Sequence, residues 1–218
     1  MACSPNLRRD VMPTESLGGT ERVPASETLA KGLYRYRGWV PVLPILGALI
    51  WADPQRPWWM IGVGFMIGGE MLRCWGAAHL GLAARSSRPL SHKLVTSGPF
   101  AYTRHPLYWG NACLTLGFVT ATGAGWPWFV FLAGLGFVVL YVAHARREEH
   151  ALARAFPVEH AAYCSRVPAW RWRTWPARMP GAGETPHPSL TRALRVELGS
   201  IHAELWLLVL LWLRVRFF

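Results

Sequence analysis

Arg104 and His105 stand immediately before Pro106, at the mouth of an apolar run that continues to Thr122. Further along, Glu148 and Glu149 follow two arginines in RREEHALARAF, at the end of another apolar run. Side chains of these types can hold an anion, balance a cation or move a proton. Proline restricts the residue before it to extended or turn conformations and fits the first turn of a helix, where its missing N–H costs nothing. A helix is therefore predicted to start at Pro106, and its free N–H groups and positive dipole end suit an anionic group. The plain alternative is that Arg104 and His105 are interfacial charges flanking a membrane segment. The two glutamates likewise read either as a solvated helix face or as acceptors for hydroxyl groups and a counter-charge for a cation. Upstream, SHKLVTSGPFAY supplies His92, an extended β-branched pair and a Gly-Pro turn, a segment built to present backbone groups.

The elements that must position these residues are set by composition. The chain has 218 residues, 52% of them apolar, with 13 tryptophans and a positive mean hydropathy, which points to a small polytopic membrane protein. Its formal charge of +11 is scattered between apolar runs with no long Lys/Arg block, so a nucleic-acid partner is not expected. Cys3, Cys74, Cys113 and Cys164 form no CxxC pair, and neither a disulfide framework nor a metal site is expected. Residues 1–30 are polar and rich in turn formers, a composition that predicts a mobile cytoplasmic tail.

Four apolar stretches approach the roughly 20 residues that a bilayer core demands: Trp39–Trp51, Trp58–His79, Pro106–Thr122 and Trp126–Ala143. A fifth, LGSIHAELWLLVLLWL, carries His202 and Glu204 in its first half and either spans or lies along the interface. The connections ADPQRP and ATGAGWPW, with Trp51, Trp58, Trp59, Trp126 and Trp128 in or beside them, mark one membrane face. The other face carries residues 1–38 with six basic and four acidic residues, 80–105 with four basic and none acidic, and 144–198 with nine basic and five acidic. The positive-inside rule makes that second face cytosolic. The expected architecture is an all-α integral-membrane bundle of about five transmembrane helices with a cytosolic cap. It divides into a tail (1–30), a core (31–178), a linker (179–188) and a C-terminal membrane helix (189–218).

HKLVTSGPFAYTRHPLYWG, followed by EEHALARAFPVEHAAYCSRVPAW, resembles the isoprenylcysteine carboxyl methyltransferase and phospholipid methyltransferase superfamily of integral-membrane enzymes. Those families show a His-x-Leu-Val-Thr, Gly-Pro-Tyr, Arg-His-Pro-x-Tyr signature, then Glu-Glu-x-x-Leu and Val-Pro. The likeness covers about residues 60 to 173. It implies S-adenosylmethionine as methyl donor, bound in the cytosolic cap, with a lipophilic acceptor arriving through the membrane. Carried over position by position, it implies cofactor contacts at His92, Lys93, Leu94, Val95, Phe100, His105, Pro106, Leu107, Tyr108 and Glu148, with Arg104 and Glu149 beside them. Arg85 is a further candidate, where relatives have Gln. His144 occupies the position of an arginine that serves the acceptor carboxylate in isoprenylcysteine enzymes.

Three departures bear on the chemistry. Phe100 replaces the usual tyrosine, keeping a ring and losing a hydroxyl; Pro157 stands where the family has glycine; His144 replaces arginine and leaves carboxylate acceptors in doubt. Methyl transfer from a sulfonium is an in-line displacement, so near-attack geometry away from water supplies much of the acceleration. An amine or thiol acceptor requires a base, and His105, His144 and Glu148 are the candidates. The acceptor classes are an isoprenylcysteine-like carboxylate or lipid, a phospholipid amine, or a small thiol. An NADPH-dependent membrane reductase, a haem protein and a non-catalytic membrane protein are the competing classes. Glu70 and Arg73, three residues apart within an apolar run, are expected to pair with each other and orient the bundle, with contact to the acceptor as the alternative, since ionisable groups inside a membrane face a cavity or one another.

Overall fold

The computed structural model describes residues 42–54, 56–80, 94–125, 127–179 and 188–217. The expected tail, the start of the first expected span, Arg85, His92, Lys93, Trp126 and most of the linker lie outside the described residues. Regular structure among the described residues is helical: α1 (Val42–Ile50), α2 (Arg56–Leu80), a 3₁₀ turn (Gly98–Ala101), α3 (Pro106–Thr122), α4 (Trp128–Ala155), α5 (Pro157–Arg166) and α6 (Leu190–Phe217).

Helix α3 begins at Pro106 with His105 as its N-cap residue, as the Arg-His-Pro sequence predicts, and it ends at Gly123 in the left-handed conformation that glycine adopts freely. Beyond the apolar span expected to end at Ala143, α4 continues unbroken to Ala155. No glycine or proline interrupts the chain between Gly136 and Pro157, and Pro157 then opens α5 as its first residue. The 28 residues of α4 extend for about 42 Å. That exceeds a hydrocarbon core of about 30 Å, so the polar last turns carrying Glu148 and Glu149 stand clear of the apolar run.

The closest packing joins α2 to α3. A Cβ atom at Gly69 would lie 2.8 Å from the Gly110 carbonyl oxygen, and one at Gly117 would lie 2.7 Å from that of Gly62. Small residues let the two backbones touch, which is how helices associate where water supplies no hydrophobic drive. Ala48, Met66, Phe118, Val119, Ala124, Ala133 and Leu211 form a core cluster drawn from α1, α2, α3, the α3–α4 connection, α4 and α6.

Both ends of the bundle are tied. At one, Asp53 N donates to Thr122 O at 2.8 Å, Trp51 meets Phe129 edge-on at 6.5 Å and Arg214 Nη2 donates to Ile50 O at 3.3 Å. The two tryptophan-bearing connections therefore share one end, as the sequence predicts. At the other end Ser189 N donates to Ala78 O at 3.3 Å, so α6 runs the full length of the bundle beside α2.

Among the described residues two helices, α4 and α6, are long and apolar enough to cross a bilayer by length and composition. Their apolar side chains point outward: Phe131, Leu132, Leu135, Val138 and Val139 on α4 and Leu205, Trp206, Leu210 and Trp212 on α6 are exposed. A surface of that kind matches lipid rather than water as solvent. Of the other expected spans, α3 has 17 residues and α2 carries Glu70 and Arg73.

Candidate active site

The site is built on the turn between α2 and α3. Gly98 takes φ +61°, and a Cβ there would sit 2.6 Å from His79 Nδ1, so only glycine lets the chain turn against that ring. Pro99, Phe100 and Ala101 are buried within the 3₁₀ turn that follows. A strap of residues 167–177, running out of α5, clasps this turn. Arg104 N donates to Pro168 O at 3.0 Å, Arg173 N to Tyr102 O at 3.1 Å and Ala177 N to Ala101 O at 2.9 Å. Side chains add to the clasp: Thr103 Oγ1 donates to Ala169 O at 2.9 Å and Tyr163 OH to Phe100 O at 2.7 Å. Burial pushes the Tyr163 phenol above its ordinary pKa, so it stays a donor.

The polar extension of α4 lies against His105 and Arg104. Glu149 Oε1 accepts from His105 Nε2 at 2.9 Å and lies 2.8 Å from Arg104 Nη1. Burial alone would raise the Glu149 pKa, but the hydrogen bond from His105 and the charge of Arg104 outweigh it and hold the carboxyl below its usual range. Glu148, one residue earlier and half exposed, lies 3.8 Å from His105 Nδ1 and accepts from Tyr108 OH at 2.8 Å. Arg104 Nη1 also contacts Cys164 Sγ at 2.8 Å. His160, buried beside this network, has its pKa lowered, chiefly because burial disfavours its cation.

Aromatic rings form the wall next to these charges. His105 stacks on Tyr108 at 5.3 Å with 16° between planes and lies 5.3 Å from Trp170. Tyr108 meets Tyr141 edge-on at 5.0 Å and His144 at 6.3 Å. Trp170 is fixed by Trp109 Nε1, which donates to the Trp170 carbonyl at 3.0 Å.

Of the sequence-predicted residues, the structure brings together Arg104, His105, Tyr108, His144, Glu148 and Glu149. Pro106 and Phe100 are buried in the scaffold beneath them, and Phe100 and Leu107 pack near Gly76 of α2. Leu94 and Val95 are half-buried on the approach to the turn. Sequence reasoning did not single out Trp170, Tyr141, His160 or Cys164. Trp170 had a signal in the Val-Pro-Ala-Trp exit; Tyr141 is an ordinary residue on the long α4, and His160 and Cys164 are ordinary residues on the short α5. The Glu70–Arg73 pair is present at 3.4 Å, and it is larger than expected: Arg73 also binds Glu197 and Asn111 and donates to Ser200 Oγ at 3.0 Å. Asn111 Nδ2 in turn donates to Tyr141 OH at 3.3 Å, linking this cluster to the aromatic wall.

S-adenosylmethionine offers a carboxylate, an ammonium, ribose hydroxyls, an aromatic base and a sulfonium cation, and the residues present fit such a group. Among the described residues, Arg104 Nε and Ser97 Oγ are buried donors without a partner. Glu148 keeps half its side chain open, and the rings of Tyr108 and Trp170 offer faces to a cation.

Two helices of membrane length, with charged and aromatic side chains gathered at one end of the bundle, are the features of a helical membrane protein with a candidate site at that end. Residues 58–159 match the phospholipid methyltransferase family, part of the isoprenylcysteine/phospholipid methyltransferase superfamily. The chain is 33% identical over 159 residues to the cobalt-zinc-cadmium resistance protein CzcN of Cupriavidus metallidurans, covering 70% of this chain and 62% of that one. It is also 33% identical over 129 residues to the nickel-cobalt-cadmium resistance protein NccN of Alcaligenes xylosoxydans xylosoxydans, covering 58% of this chain and 56% of that one. The matches thus span about three-fifths of the length of these relatives. No solved structure gives a significant match.

Proposed function

We propose that this chain is an integral-membrane methyltransferase that uses S-adenosylmethionine to methylate a lipophilic acceptor at the cytosolic face of the inner (plasma) membrane. The observation that carries the reading is the joining of the two motif blocks, His105 to Glu149 at 2.9 Å, within a segment that matches the phospholipid methyltransferase family. When bound, S-adenosylmethionine supplies an electrophilic methyl group on a sulfonium. Glu148 accepts hydroxyl donors or balances the cation, while Tyr108 and Trp170 exclude water and face the positive charge. Arg104, held by Glu149, keeps its Nε available for a carboxylate. His105 and His144 stand beside Tyr108, where either serves as base for an amine or thiol acceptor.

The outward-facing apolar surfaces of α4 and α6 support a route for the acceptor from lipid, and α1, α2 and α3 complete the spanning bundle. Orientation follows from the arginine-rich segments at the site end. The names of the two relatives suggest a setting in which the methylated product contributes to resistance against divalent transition metals.

The test is methyl transfer from labelled S-adenosylmethionine in membranes holding the full chain, with Glu148→Ala membranes as background. Label above background in the lipid extract is the expected result. Volatile label would move the acceptor to a small thiol, label on lipid amines would make the acceptor a phospholipid amine, and no excess in any fraction would overturn the enzymatic reading.

A further inference from the structure

The strap that clasps the site carries more positive charge than its structural ties employ. Residues 166–178, RVPAWRWRTWPAR, hold four arginines and no acidic residue. Trp170 faces inward, 5.3 Å from His105, whereas Arg171, Trp172, Arg173 and Trp175 are exposed. Together with Arg166 they line a groove of about 420 Å3.

The arginine bonds in the groove run to carbonyls. Arg173 Nη1 donates to Arg166 O at 2.7 Å and its Nε to Trp175 O at 3.1 Å, while Arg166 Nη1 reaches Arg178 O at 3.4 Å. Among the described residues, none of these arginines has a carboxylate within ion-pair distance. Guanidinium donors without a counter-ion match phosphate oxygens in geometry and charge. The two tryptophans, 42% and 76% exposed, decide between a soluble anion and an amphipathic one, because indole rings settle at the headgroup level of a bilayer. Trp172 is oriented by Tyr102, 6.3 Å away, so the groove is continuous with the turn that carries the site.

We propose that this groove binds the phosphate of an anionic phospholipid in the leaflet at the site end, seating the strap, and with it Trp170, on the membrane surface. The lipid is a bound ligand rather than the methyl acceptor, and the inference stands apart from which acceptor is methylated.

Arg171 provides the cleanest variant, since its side chain is exposed and makes no bond that holds the strap. The full chain in micelles of mixed phosphatidylglycerol and phosphatidylcholine would be examined by native mass spectrometry, counting retained lipid of each kind. Wild type is expected to retain phosphatidylglycerol in clear excess. Arg171→Gln should lower that excess by roughly fivefold, with an unchanged melting temperature in phosphatidylcholine alone. Arg171→Lys should keep most of it. Arg192→Gln, exposed at the start of α6 outside the groove lining, should leave it within about 1.5-fold of wild type. Equal losses from the Arg171 and Arg192 variants would reduce the effect to general surface charge and overturn the site. Displacement of the lipid by millimolar glycerol phosphate would overturn the choice of a membrane ligand. Neither readout depends on methyl transfer, so failure here is distinct from failure of the enzymatic reading.

Discussion

Glu149 holds His105 and Arg104 through one oxygen, at 2.9 Å and 2.8 Å, and so locks the polar end of α4 to the mouth of α3. Its neighbour Glu148 turns away to Tyr108. Successive residues on a helix point about 100° apart, so two adjacent carboxylates cannot serve the same partner equally, and here one is structural while the other stays open to a ligand.

That division predicts different consequences for the two isosteric replacements. Glu149→Gln leaves the buried Arg104 guanidinium without its counter-charge and should cost about 3 kcal/mol of stability. Glu148→Gln keeps an oxygen to accept from Tyr108 at a half-exposed position and should cost under about 1 kcal/mol, while weakening donor binding roughly tenfold, equivalent to about 1.4 kcal/mol. Thermal unfolding in detergent and calorimetric titration with S-adenosylmethionine separate the two. Equal melting temperatures for the variants would refute the division.

The seam between α2 and α3 predicts a contrast among glycines of one helix. Gly69→Ala would push a methyl to within 2.8 Å of the Gly110 carbonyl and 2.9 Å of Cys113 Cβ, forcing the backbones apart at a cost of about 1–3 kcal/mol. Gly64→Ala and Gly68→Ala meet nothing within 4 Å and should be neutral or gain up to about 1 kcal/mol from helix propensity. Melting temperatures of the single variants decide, and a loss at Gly64 as large as at Gly69 would contradict the seam.

Those glycines also mark how far the sequence could be read. Pro106 announced the start of α3 because its ring allows little else, and the two motif blocks announced that the Arg-His and Glu-Glu pairs share a site. Which glutamate faces inward depends on the rotational phase of α4, which no local signal sets. Hydropathy marks where the apolar run ends, at Ala143, but not where the helix ends, because the backbone has no reason to break before Pro157. Glu197 escaped notice since a carboxylate early in an apolar helix reads as interfacial, and only the packing of α6 on α2 delivers it to Arg73. Which of the glycines contacts a backbone is likewise a tertiary fact.

His160 predicts an acid sensitivity. Its pKa is lowered in the folded chain, first by burial and then by the charges of Arg104 and His105, with Glu149 opposing. Above the ordinary histidine pKa of about 6.5 both folded and unfolded forms are neutral, and the full stability is present. As the pH falls below that value the unfolded chain takes up a proton that the folded chain resists, so stability declines toward the lowered folded pKa. The melting temperature should drop between pH 7 and pH 5.5, and His160→Gln should flatten that part of the profile. A His160→Gln profile parallel to wild type would assign the decline to other groups.

The cluster around Arg73 yields the last prediction, about the helix that lies beyond the family match. Arg73 joins Glu70, Glu197, Asn111 and Ser200, and Glu197 is among the most deeply buried side chains of the described residues. Removing the cation strands two carboxylates away from water, so Arg73→Gln should destabilise the protein by about 3–5 kcal/mol. Glu197→Gln is milder, about 1 kcal/mol, because an amide still accepts from Arg73 and Glu70 still balances the guanidinium at 3.4 Å. Detergent unfolding followed by tryptophan fluorescence measures both, and α6 carries Trp206 and Trp212 to report its own release. If Glu197→Gln proved as damaging as Arg73→Gln, the carboxylate rather than the arginine would be the centre that holds α6 to α2.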